Sequence, residues 1–342
     1  MTSGLVPSSL IAKDPRMSVP FTVVFTDFLD ETDVEGPILG DVAKIITARA
    51  TNEMELARHV GAADAMIVFH EIDRIGETTF AAAPKCRVVV RAGVGYNNID
   101  IESAARHGVV VCNVPDYGTE EVADHAIMLL LAVARRLIPS HTAIRAGDWH
   151  YRTAVGAPRL RGTTLGIVGC GRIGSATALR AKALGLDVVF FDPYVPAGVD
   201  KALGIRRVFT LAELLTQSHF VSLHCYLDQA TRHLINTNTL ALMRTGAVLI
   251  NTARGAVVDQ VALMDALDSG RLSGAGLDVV EREPLDDERL RLHPNVILTP
   301  HSAFYSVEGF IELRSKAAEE VRRVLVGEPP RNPVNKPCEG AR

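Results

Sequence analysis

The stretch from Leu165 to Gly174 constrains this chain more than any other: an apolar run ends at Gly169, and glycines recur at 171 and 174 where helix-forming sequence begins. A bare GxGxxG is common, but between a strand and a helix each glycine has a physical task. Gly169 permits a tight turn, Gly171 lets the backbone approach a pyrophosphate, and Gly174 lets the helix lie close to the strand. The first turn of that helix then offers unpaired N–H groups to the phosphates. The next strand candidate ends at Asp192, 18 positions past Gly174. That is near the spacing of an acid that accepts hydrogen bonds from a ribose 2′-hydroxyl. A carboxylate there repels a 2′-phosphate, so the expected cofactor is NAD (NADH) rather than NADP. The other reading of Asp192 is a turn residue before Pro193.

The 342 residues suit about two domains. With 47% hydrophobic and 22% charged residues the composition is that of a globular chain. The net charge is −4 and no long basic run occurs, so no direct nucleic-acid partner is expected. No apolar run approaches the roughly 18–20 residues that span a bilayer, so no membrane partner is expected either. The five cysteines, Cys86, Cys112, Cys170, Cys225 and Cys338, form no CxxC pair. They read as free thiols in a reducing cytoplasm, and no metal site is expected. Residues 1–20 lack the apolar region of a secretory signal. Residues 1–18 read as a flexible lead, and Met17 is an alternative to Met1 as the start. The stretch 327–342 is rich in proline and charge and is expected over the surface.

Two α/β segments follow one another. In the first, β-branched runs at 21–25, 44–47, 65–69, 87–90 and 109–112 alternate with helical stretches such as 52–60 and 101–107. In the second, strand candidates lie at 165–168, 188–191, 220–224, 247–251, 276–279 and 296–299. These runs are apolar nearly throughout, as parallel strands buried on both faces are. A long apolar helical stretch at 120–146 joins the segments, and Pro139 should kink or divide it. The last helix, 307–326, is read as returning to the first domain. The expected fold is α/β: two Rossmann-like or flavodoxin-like, doubly wound parallel-sheet domains with a cleft between them. One is a discontinuous substrate-binding (catalytic) domain, 19–118 and 304–342, and the other an NAD-binding domain, 119–303. Few chain crossings between them make closure by a hinge an expectation.

Three strand candidates of the second segment are followed by polar loops: Asn251-Thr252-Ala253-Arg254-Gly255, Asp278 to Pro284, and Thr299-Pro300-His301-Ser302-Ala303. Ligands of open α/β sheets sit at the carboxyl ends of strands, so the loops should converge. Reducing a keto acid calls for a cation that holds the carboxylate and polarises the carbonyl, which the Arg254 fork supplies. It calls for a proton donor near neutral pH, which His301 supplies. A carboxylate beside the imidazole, Glu283, would fix its tautomer and favour its charged form. Taken singly, these residues also read as a surface ion pair, a loop histidine and a solvated acid.

From about Val19 to Asn335 the chain resembles the D-isomer-specific 2-hydroxyacid dehydrogenase family. The glycine fingerprint, the Asn251–Gly255, Asp278–Pro284 and Thr299–His301 motifs and the early loop from Arg91 to Asp100 carry the likeness. The resemblance implies an oxidoreductase acting on CH–OH donors, with Arg254, Glu283 and His301 as the catalytic trio. It implies that Val94, Gly95, Arg254 and Phe304 contact the substrate, the first two through backbone N–H groups. It implies cofactor contacts from Thr119, Gly169, Gly171, Arg172, Ile173, Gly174, Asp192, His224, Cys225, Thr231, Thr252, Ala253, Asp278 and His301. It also implies a homodimer built on 120–146. Formate dehydrogenases, which share the architecture, place glutamine beside the histidine, so Glu283 argues against that activity. Within the family the likeness is nearest to the C-terminal-binding-protein branch and its bacterial relatives, through Cys112–Pro115, Phe191–Tyr194, His233–Asn236 and Phe304–Ser306. Those corepressors carry tryptophan where this chain has Phe304, and most family dehydrogenases carry proline where it has Tyr226. The likeness to that branch leaves as the rival reading an NAD(H)-sensing dimeric regulatory protein with weak or no physiological turnover.

Overall fold

The computed structural model describes residues 20–27, 29–338 and 340. The lead expected over residues 1–18 lies outside them. Contacts divide the chain into two compact units, 1–114 with 314–342, and 115–313. The divisions fall at 115 and 314 rather than at 119 and 304, the second of them inside the last helix. A helix can belong to two units along its length, which a motif boundary cannot reveal.

Unit 1 is built on β1 (Phe21–Phe25), β2 (Ala43–Thr47), β3 (Ala65–Val68), β4 (Val88–Arg91) and β5 (Val110–Asn113), with α1 (Glu35–Leu39), α2 (Glu53–Leu56), α3 (Glu77–Ala82) and α4 (Ile101–Arg106) between them. The strands pair in parallel in the order β2-β1-β3-β4-β5, the flavodoxin-like winding. Every residue of β3 and β4 is buried, which explains their unbroken apolar sequence. Helix 52–60 contracts to α2 with Asn52 as N-cap, its side chain accepting the Glu55 N–H. The C-terminal stretch lies at the surface but also pairs with β5: Val334 N donates to Val111 O at 2.8 Å, and Asn335 Oδ1 accepts from Val111 N at 2.8 Å. It thereby covers the backbone groups of an edge strand.

Unit 2 begins with α5 (Thr119–Ala134) and α6 (Leu137–Arg145). The stretch 120–146 is thus two helices, and the break falls at Arg135–Arg136, with Arg136 in the left-handed region at φ 52°. Pro139 divides the stretch as expected: it has no N–H for the carbonyl of Arg135, four residues back, and its ring crowds that carbonyl, so the chain breaks there and Pro139 falls in the first turn of α6. The sheet holds β6 (Thr164–Val168), β7 (Asp187–Phe191), β8 (Arg206–Arg207), β9 (Phe220–Leu223), β10 (Ala247–Asn251), β11 (Leu272–Leu277) and β12 (Val296–Leu298). Between them run α7 (Arg172–Ala183), α8 (Val199–Leu203), α9 (Leu211–Gln217), α10 (Thr237–Leu242), α11 (Gln260–Asp268) and α12 (Glu288–Arg291), and α13 (Val307–Leu325) follows. Strand β8 has no apolar signature and escapes a sequence reading.

The order β12-β11-β10-β9-β6-β7-β8 is the doubly wound dinucleotide-binding arrangement, with its reversal between β6 and β9. Leu214, Leu263 and Leu267 of α9 and α11 pack in the core on one face. Leu129 and Leu130 of α5 and Ala178 and Ala181 of α7 fill the other. Much of the apolar content of α5 is therefore spent inside the unit, whereas α6 buries no residue in it. Among the described residues no single helix is long and apolar enough to cross a membrane.

Candidate active site

The glycine loop leaves β6 at the reversal in strand order. Gly169 has φ +89°, a conformation that L side chains rarely adopt, and a β-carbon there would lie 2.7 Å from Cys225 N. A β-carbon on Gly174 would lie 2.0 Å from Gly169 O, so only glycine lets α7 start against the loop. At Gly171, the N-cap of α7, nothing stands within 4 Å, which leaves open space before the N–H groups of Arg172 and Ile173. The Asp192 carboxylate accepts from Cys170 N (2.8 Å), Tyr194 N (2.8 Å) and Val195 N (3.3 Å). It is fixed at the end of β7 beside the loop and braces the turn that follows.

Around this loop, His224 shares a hydrogen bond with Ser222 Oγ at 2.8 Å, and burial pushes its imidazole down to about 3. Burial pushes the Cys225 thiol up to about 12, so it is an inert neutral group. The Thr252 side chain is buried, and its Oγ1 has no hydrogen-bond partner among the described residues. A buried hydroxyl without a partner beside the β10 terminus is a candidate contact for a bound cofactor. Thr231 instead spends its hydroxyl on Tyr226 O at 2.6 Å, and Thr119 bonds Asp116 O at 3.1 Å. The donors, the open cradle at Gly171 and the Thr252 hydroxyl together fit a dinucleotide.

The three polar loops follow neighbouring strands, β10, β11 and β12. Asn251 shapes the first: its Nδ2 donates to Arg254 O at 2.9 Å and its Oδ1 accepts from Ala253 N at 3.0 Å. Gly255 then touches the second loop so closely that a β-carbon would sit 1.8 Å from Val280 O. In the second loop Val280 N donates to Glu283 Oε1 at 3.1 Å. His301 Nδ1 donates to Glu283 Oε2 at 2.7 Å. Burial alone would raise the Glu283 carboxyl, but the His301 hydrogen bond and charge, Val280 N–H and Arg254 outweigh it and hold it below its ordinary range. Burial pushes the Arg254 guanidinium down, and the Glu283 charge works against that. Arg254 also donates to Ala253 O at 2.6 Å.

His301 itself is held at φ 53°, with its N–H donating to Asp278 O at 2.8 Å. A β-carbon-bearing residue keeps that conformation only where its surroundings dictate it. Asp278 is the centre of that support, and its carboxylate accepts from Thr299 Oγ1 (2.6 Å), Ser302 N (2.9 Å) and Ala303 N (3.0 Å). Its side chain thus braces the His301 loop, in addition to any contact with a nicotinamide. His125 of α5 extends the network by donating to Thr299 Oγ1 at 2.9 Å. Nothing in the sequence distinguishes His125 or Asn251 as supports, because their partners are distant or backbone. Phe304 meets Tyr117 edge-on with ring centroids 6.4 Å apart. Val94 and Gly95 lie in unit 1 after β4, where Val94 O accepts from Asn113 Nδ2 at 2.7 Å.

A reversed-order parallel sheet, a glycine cradle and an acid at the next strand end define a doubly wound α/β domain of the dinucleotide-binding type. The model of the family described as "D-isomer specific 2-hydroxyacid dehydrogenase, NAD binding domain" matches residues 127–303, and the chain belongs to that family. It is 36% identical to D-3-phosphoglycerate dehydrogenase of Methanocaldococcus jannaschii over 315 residues, 92% of this chain and 59% of that protein. It is 36% identical to C-terminal-binding protein 1 of Caenorhabditis elegans over 312 residues, 88% of this chain and 43% of that protein. The chain thus spans about half the length of these curated relatives. The solved structure of a glyoxylate reductase from Paecilomyes thermophila superposes with a TM-score of 0.85 at 28% identity, covering 92% of this chain and 98% of that one. Unit 2 accordingly carries the family's NAD-binding domain.

Proposed function

We propose that this chain is an NAD-dependent dehydrogenase that interconverts a 2-keto acid and a 2-hydroxy acid. The observation that carries this reading is the 2.7 Å bond between His301 and Glu283, beside the half-buried Arg254, on adjacent strand ends of the NAD-binding domain. Bound NADH supplies the hydride. His301, with Nδ1 committed to Glu283, exchanges its proton with the substrate oxygen through Nε2. Arg254 holds the carboxylate and polarises the carbonyl. Backbone N–H groups of Val94 and Gly95 bind the carboxylate, and Phe304 supplies an aromatic wall. The cofactor contacts are the glycine loop with Arg172 and Ile173, Asp192, Thr252 and the residues assigned with them by the family likeness. Steady-state oxidation of NADH with a panel of 2-keto acids should show turnover with at least one. Tight NADH binding with no turnover across the panel would instead favour an NAD(H)-sensing regulator, a reading that the likeness to C-terminal-binding protein 1 supports.

The partner class is a small 2-keto or 2-hydroxy acid together with a second copy of this chain. In support of the homodimer, Leu137, Ile138, Ile144, Trp149 and Tyr151 are exposed on α6 and the segment after it. The described cysteines form no disulfide, which supports a cytoplasmic, reducing location. Fractionation of cells producing the natural protein tests that assignment.

A further inference from the structure

The ribose end of the cofactor site holds a cation that hydride transfer does not use. Arg207 is the second residue of β8 and pairs with Phe190 of β7. Its Nη2 donates to the backbone O of Asp192 at 2.7 Å. Its guanidinium carbon lies 5.8 Å from the Phe190 ring centroid and 5.7 Å from that of Phe209. Phe190 is fully buried, while Phe209 is 78% exposed. Its Nε is buried and has no hydrogen-bond partner among the described residues.

A surface arginine ordinarily keeps its fork in water. Here one end of the fork is tied to Asp192, the guanidinium is flanked by two aromatic rings, and one donor is left unanswered. Such a donor is unfavourable unless a ligand meets it. The Asp192 carboxylate is meanwhile pinned by the N–H groups of Cys170, Tyr194 and Val195. The Arg207 guanidinium thus bonds the backbone of the residue whose carboxylate is pinned at the end of β7. A planar guanidinium is the side chain best matched to a phosphate monoester.

We propose that Arg207 is a specificity residue of the cofactor site: Asp192 alone excludes a 2′-phosphate, and Arg207 is positioned to bind one as soon as that carboxylate is removed. The inference rests on the reading of Asp192 as the ribose-binding acid. Its consequence is that one substitution opens the site to NADPH, and a second closes it again.

The test is calorimetric titration of NADH and NADPH into the full chain and three variants, Asp192→Ser, Asp192→Ser/Arg207→Gln and Asp192→Ser/Arg207→Lys. The quantity read is the ratio of the two dissociation constants within each protein, so a lower folded fraction in any variant cancels. Asp192→Ser should shift the ratio toward NADPH. Adding Arg207→Gln should reverse the shift by about tenfold or more, the usual worth of a charge-assisted hydrogen bond. Arg207→Lys, which keeps the charge without the fork, should fall between. A ratio equal in Asp192→Ser and Asp192→Ser/Arg207→Gln overturns the proposal while leaving the role of Asp192 intact. A ratio unmoved by Asp192→Ser overturns both.

Discussion

At the scale of single residues, the site depends on a histidine whose backbone and side chain are each held by a different carboxylate-bearing residue. Glu283 takes the imidazole Nδ1–H, and Asp278 takes the backbone N–H on its carbonyl while its carboxylate secures the next two residues. His301→Ala should lower turnover by about 10²–10⁴-fold, the worth of a positioned general acid, while NADH titrates as in wild type. Loss of NADH binding in that variant would point to a structural role instead. The Glu283 carboxyl is held below its ordinary value of 4.5. A depressed carboxylate contributes stability that is present above the unfolded value and is lost as pH falls through the folded one. The stability gap between wild type and Glu283→Gln, from urea unfolding at a series of pH values, should therefore narrow below about pH 4.5.

At the scale of elements, close approach rather than propensity places the functional groups. Helix α7 reaches the cofactor cradle because Gly174 has no side chain to meet Gly169 O. Gly174→Ala should destabilise the fold by about 1–3 kcal/mol, the usual cost of overpacking, and should weaken NADH binding as well. Equal melting temperatures and equal NADH affinities for the two proteins would refute that account. The Gly255 contact with Val280 couples the Arg254 loop to the Glu283 loop in the same manner. By contrast, α5 meets the sheet with ordinary aliphatic packing around the fully buried Leu129.

At the scale of the molecule, the sheet of unit 2 sets the site by topology, since the order reversal puts the glycine loop between two diverging strand connections. In unit 1, Arg314 of α13 is buried and pairs with Glu35 of α1 at 2.8 Å and with Asp33 at 2.7 Å, which ties the C-terminal helix to the first crossover. The exposed apolar side chains of α6 and of the segment after it predict self-association. Light scattering at micromolar concentration should give twice the chain mass, and Leu137→Asp/Ile138→Asp should shift it toward one chain. A single-chain mass for the unaltered protein would reject the dimer.

The sequence by itself determined the parallel α/β character, the glycine cradle, the acid at the end of β7 and the three polar loops. Each of these is written in contiguous residues: apolar runs of strand length, glycines at fixed offsets, and polar residues directly after strands. What only the tertiary structure decided involves residues far apart in the chain. Strand β8 exists because β7 offers an edge. His125, on α5, reaches Thr299 across 174 positions. Asn251 shows its role only once its loop closes on its own side chain. Arg207 gains its meaning from an aromatic neighbour on the paired strand and from the carbonyl of Asp192. Such partnerships depend on three-dimensional distance, which periodicity and spacing along a chain do not encode.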